Sequence, residues 1–76
     1  MVSKSEIGSN LKFLRLARSW TQARLASALS VQRTDFVRWE QGIYRIPADK
    51  ISELSVLLKV NPALFLTQRP KKNGQR

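Results

Sequence analysis

Arg33 and Arg38 stand five positions apart with Thr34 and Val37 between them, inside residues 21–42, which read as two short helices joined by a tight turn. A guanidinium can donate two hydrogen bonds to guanine O6 and N7 in the DNA major groove. A threonine offers a base edge its hydroxyl or its methyl, and a valine can only pack, most usefully against the thymine methyl. Stepping 100° per residue from Gln32 places Arg33, Thr34, Val37 and Arg38 on one arc and Gln32, Phe36 and Trp39 in the opposite sector. The aromatics would anchor this helix, and the other arc would project outward. A helix packed on one side and basic on the other is suited to enter the major groove. Gln32, which can bond adenine in two places, is a fifth candidate reader. The bland alternative is a solvated face that carries two arginines.

The elements that must position these side chains are helical. The spacing of Ile7, Leu11, Leu14 and Arg18 predicts a first helix from about Ser5 to Arg18. Thr21 is a suitable N-cap for a second helix through Leu29, whose apolar stripe is Leu25, Ala26 and Leu29. Ser30 and Val31 form the turn. Gln32 opens the third helix, Asp35 meets its positive end, and Gly42 is the left-handed cap that stops it. After a loop over Ile43–Ile46, Pro47 suits the first turn of a fourth helix that buries Ile51, Leu54 and Leu58. Asn61 and Pro62 then start a short fifth helix holding Leu64, Phe65 and Leu66. No segment alternates as a strand would, and none repeats. The expected fold is an all-α, compact five-helix bundle over residues 1–66, followed by a basic, flexible tail over 67–76.

Composition narrows the function. Seventy-six residues make one domain. A chain of this size buries only about 60% of the surface its unfolded form exposes. The absence of cysteine and histidine removes disulfides and the usual zinc sets, and fits a cytosolic protein. The N-terminal residues lack the apolar core of a signal peptide, and no apolar run approaches the ~20 residues of a membrane span. The net charge of +9 is unevenly spread: +5 over residues 1–46, neutral over 47–66, and +4 over 67–76 from Arg69, Lys71, Lys72 and Arg76. Such segregation points to a polyanionic partner. The tail either adds phosphate contacts or keeps the chain soluble, and deleting it would separate the two through the salt dependence of binding.

The order and spacing of Ile7-Gly8, Leu11, Leu14-Arg15, Thr21-Gln22, Leu25-Ala26, Val31, Trp39-Glu40, Gly42, Pro47 and Val60-Asn61-Pro62 resemble the Cro/cI-type (lambda-repressor-like, or XRE) helix-turn-helix family over residues 7–66. That resemblance implies that Gln22 contacts a DNA phosphate, with Thr21 and nearby backbone N–H groups sharing the site. It implies that Gln41 and Arg45 grip the backbone on the other side of the groove, and that Arg15 and Glu40 form a structural ion pair. Two departures stand out: Ser30 occupies a turn position that is usually glycine, and Gln32 replaces the more usual Ser/Thr cap. A serine held at positive φ costs roughly 1 kcal/mol.

The expected function is therefore sequence-specific recognition of double-stranded DNA by a transcriptional regulator. The type expected is a phage or mobile-element repressor, acting as a homodimer in the cytoplasm of a bacterium or phage-infected host. Related proteins also serve as antitoxins or restriction–modification controllers. Val56, Leu64, Ile43 and Tyr44 are candidate dimer contacts. The alternative is a non-catalytic protein-interaction module whose DNA binding is secondary or absent. An enzyme is not expected: without histidine or cysteine, catalysis falls to five acids, of which Asp35 and Glu40 already have structural roles. Self-cleavage by a serine–lysine pair would need a second domain. The residues suggest no metal, cofactor, small-molecule ligand or membrane partner.

Overall fold

The computed structural model describes residues 2–67. Four α-helices, α1 (Lys4–Ala17), α2 (Gln22–Ala28), α3 (Arg33–Gln41) and α4 (Ala48–Leu58), precede a 3-10 helix at Pro62–Leu66. Among the described residues there is no strand. The tail expected over 67–76 lies, apart from Thr67, outside the described residues.

The fifth helix is thus not an α-helix. Asn61 caps it by accepting the Ala63 N–H at 2.8 Å, but five residues give little room for i→i+4 bonding, so the segment tightens into 3-10 geometry. It buries only Phe65. Leu64 and Leu66 remain about half exposed.

The first helix begins one residue earlier than its apolar spacing suggests, because Ser3 and Glu6 form a capping box. The Ser3 hydroxyl accepts the Glu6 N–H at 3.1 Å, and the Glu6 carboxylate accepts the Ser3 N–H at 3.0 Å. Leu11 and Leu14 enter the core, while Arg18 lies beyond the helix end and is exposed. The core joins these leucines to Leu25 of α2 and Leu29 just after it, Phe36 and Trp39 of α3, Leu54 and Leu58 of α4, and Phe65. Buried Asn10 fastens α1 to the 3-10 helix, its Nδ2 donating to the carbonyls of Phe65 (3.0 Å) and Thr67 (2.7 Å).

Gly8 sets how closely α1 approaches α3. A Cβ there would collide with the Trp39 carbonyl oxygen and lie 2.8 Å from that of Glu40. Both obstacles are backbone and cannot rotate away. Gly8→Ala is expected to cost about 1–3 kcal/mol by overpacking, read as a lower urea midpoint. An unchanged midpoint would mean that α1 can slide without losing its packing.

All four α-helices end in the same way. A residue with left-handed backbone follows each, Ser19 (φ 60°), Ser30 (φ 58°), Gly42 (φ 77°) and Lys59 (φ 56°). The next N–H bonds back to the carbonyl five residues earlier: Trp20 to Arg15, Val31 to Ala26, Ile43 to Arg38 and Val60 to Ser55, at 2.9–3.1 Å. These are Schellman motifs, and glycine suits the left-handed position because it has no Cβ to crowd the backbone. Only one of the four has it. Ser30→Gly should raise stability by about 0.5–1 kcal/mol, and the triple Ser19→Gly/Ser30→Gly/Lys59→Gly by roughly twice that or more. Chemical denaturation of the two variants checks this, and a destabilised triple variant would contradict it.

Candidate nucleic-acid interface

Phe36 and Trp39 decide which way α3 faces. Phe36 is fully buried and Trp39 nearly so, with ring centroids 5.8 Å apart at 51°. With that side in the core, Arg33, Thr34, Val37, Arg38 and Gln41 turn outward and line one open depression. Two of these five residues are cations and none is acidic. The acids of α3 lie elsewhere: Asp35 is in the first turn and Glu40 is turned inward. The depression is therefore positively charged, and Val37 and Thr34 add methyl groups to its lining.

Gln41, expected at a phosphate, thus shares a surface with the four outward residues of the base-reading set. Gln32 does not. It is the exposed N-cap of α3 (φ −67°, ψ 140°), and its side chain makes no capping bond. Arg45 is exposed in the loop that follows α3.

Behind this face lies a buried polar network. The Arg15 guanidinium forks onto Glu40, with Nε to Oε2 at 2.6 Å and Nη2 to Oε1 at 3.2 Å, and its Nη1 donates to the Trp20 carbonyl at 2.9 Å. The two side chains are only 8% and 4% exposed. Gln22 joins the network, its Nε2 donating to Glu40 Oε1 at 3.0 Å. These bonds tie the end of α1, the start of α2 and the last turn of α3 to one another. They hold the orientation of α3 relative to α2.

At the start of α2, the Thr21 hydroxyl caps the helix by accepting the Arg24 N–H at 3.1 Å. Thr21 is exposed, whereas Gln22 is partly buried and has one amide hydrogen on Glu40. Two further arginine placements escape the sequence reading. The Arg24 guanidinium lies 5.0 Å from the Trp20 ring centroid, and that of Arg38 lies 5.7 Å from the Tyr44 ring centroid. The first has a signal in the chain, since Trp20 and Arg24 are four apart at a helix start. The second depends on the reversal at Gly42, which spacing alone does not reveal.

Among the described residues no group of histidine, cysteine, aspartate or glutamate side chains could hold a metal ion, and no helix is long and apolar enough to cross a membrane.

No protein-family model and no curated protein sequence matches the chain. Solved structures do. The restriction-modification controller protein C.AhdI from Aeromonas hydrophila superposes with a TM-score of 0.75 at 24% identity, over 82% of this chain and 94% of its own. A hypothetical transcription factor, NHTF from Neisseria, superposes with a TM-score of 0.79 at 21% identity, over 88% of this chain and 77% of its own. At these identities the likeness is one of fold: the chain has the helical fold of these two proteins.

Proposed function

We propose that the protein is a sequence-specific, double-stranded-DNA-binding transcriptional regulator that reads the major groove with the outward face of α3. The observation that carries this reading is that face itself: two arginines, a threonine, a valine and a glutamine around one depression, with no acid among them. Arg33 and Arg38 read guanine, Val37 and Thr34 meet thymine methyls, and Gln32, whose side chain is not used as a cap, reaches an adenine at the leading end of the helix. Thr21, Gln22 and Arg45 hold phosphates on either side. Gln41, at the last turn of α3, serves the groove edge where base and backbone contacts meet. Gln22 still has a second amide hydrogen to donate.

The likeness to a restriction–modification controller supports a regulator of a mobile gene set, and we infer repression at an operator as its action. Such a protein works where the DNA is, in the cytoplasm. We infer that it binds as a homodimer through apolar side chains that the fold leaves outside, among them Val56 (74% exposed), Ile43 and Leu64. The same exposed residues favour the second reading, a non-catalytic module that binds protein.

Selection from a random duplex pool at about physiological salt separates the two, because non-specific binding is weak there. An enriched palindrome with half-sites about 10 bp apart is the expected result. A pool that stays random would favour the protein-binding module.

A further inference from the structure

We infer that Tyr44 is a positioning residue for DNA reading, acting through Arg38 and not by touching DNA itself; the inference rests on the function proposed above. The Arg38 guanidinium lies over the Tyr44 ring at 5.7 Å, within the range in which a ring face attracts a cation. The contact is built by backbone. Left-handed Gly42 reverses the chain, and the N–H groups of Ile43 and Tyr44 both reach the Arg38 carbonyl, at 2.9 and 3.4 Å. That brings the ring alongside the last turn of α3.

The loop carrying the ring is fixed on three sides. Gly42 sits so close to Ser5 that a Cβ would come within 2.6 Å of the Ser5 Cα. Lys4 Nζ donates to the Ile43 carbonyl at 3.1 Å, and Ile46 is buried. The loop backbone is thus anchored at three points, while the Tyr44 ring is about half exposed. A free arginine on a helix surface samples many rotamers and must give them up to make a bidentate bond. One already laid on a ring loses less for each bond it forms. Among the described residues no ring lies against the Arg33 guanidinium in this way, so the two arginines differ: Arg38 is pre-set and Arg33 adapts.

The test measures wild type and the variants Tyr44→Ala, Tyr44→Leu, Tyr44→Phe, Arg38→Ala and Arg38→Ala/Tyr44→Ala on the duplex selected by the wild type and on its single-base-pair variants. Melting curves accompany each, and Tyr44→Leu keeps the test open if alanine loosens the loop. Tyr44→Ala and Tyr44→Leu should weaken binding by about two- to fivefold. The loss should concentrate at the base pair where Arg38→Ala also loses discrimination. Tyr44→Phe should match wild type, and Tyr44→Ala should add nothing once Arg38 is alanine.

A Tyr44→Phe variant as weak as Tyr44→Ala would mean that the hydroxyl contacts DNA directly, overturning the inference. An undiminished Tyr44→Ala effect in the Arg38→Ala background would overturn it too, as would unchanged or tighter binding by Tyr44→Ala. If wild type enriches no sequence at all, the DNA-reading function falls and this role falls with it. If wild type enriches a site that the Tyr44 variants read equally well, only the positioning role falls.

Discussion

Glu40→Ala is expected to destabilise the protein by about 3–5 kcal/mol, because it removes one partner of a buried ion pair and leaves the other charge behind. Arg15 would retain the Trp20 carbonyl as its one hydrogen-bond acceptor, with its side chain only 8% exposed. Gln22 would lose its acceptor in the same step. A chain of 76 residues has roughly 4–11 kcal/mol of stability to lose, so the variant should be largely unfolded or melt far below wild type. The mechanism is testable within itself. Replacing both partners by apolar residues of similar size, as in Arg15→Met/Glu40→Leu, should recover much of the loss, since the cost lies in the stranded charge. A Glu40→Ala protein that melts with wild type yet no longer binds DNA would place Glu40 at the interface instead.

Arg33→Ala/Arg38→Ala is expected to leave folding within about 1 kcal/mol of wild type, since both side chains are exposed and neither belongs to the apolar core. Its effect on specific binding should be large. Each bidentate arginine–guanine pairing contributes about 1–3 kcal/mol of discrimination, so losing both should weaken binding to the selected duplex by at least about 30-fold. Salt dependence tells base reading from phosphate gripping. Hydrogen bonds to bases release no counterions, so the slope of log K against log salt should hold while the preference for the selected duplex collapses. If both arginines grip phosphates instead, affinity for all sequences should fall together and the slope should flatten by about 0.9 for each.

Much of this arrangement was legible in the chain because it follows from local rules. The aromatic and basic arcs of α3 follow from helical period, and the structure places Phe36 and Trp39 inside and Arg33, Thr34, Val37 and Arg38 outside. The strain at Ser30 could be anticipated because the family resemblance implies glycine at that turn position. The same geometry at Ser19 and Lys59 could not, since neither residue type marks a left-handed backbone. Gly8 matches the family pattern, but nothing local in the first helix gives its reason, and only the Trp39 and Glu40 carbonyls packed against it show why a side chain is excluded. Long-range polar bonds were hidden for a related reason. Those from Asn10 to Phe65 and Thr67, and from Gln22 to Glu40, join residues that no periodicity connects. The class of the last helix was also out of reach: Asn61 and Pro62 mark its start, but five residues do not announce whether they close as α or 3-10.

The central claim, that the outward face of α3 meets DNA, is tested most directly by following backbone amide NMR signals while the selected duplex is added. The largest shifts are expected at Arg33, Thr34, Val37, Arg38 and Gln41, smaller ones at Thr21, Gln22 and Arg45, with any change at exposed Val56 on α4 confined to the proposed dimer contact. Shifts centred on Val56 and Leu64, with α3 unmoved, would contradict it.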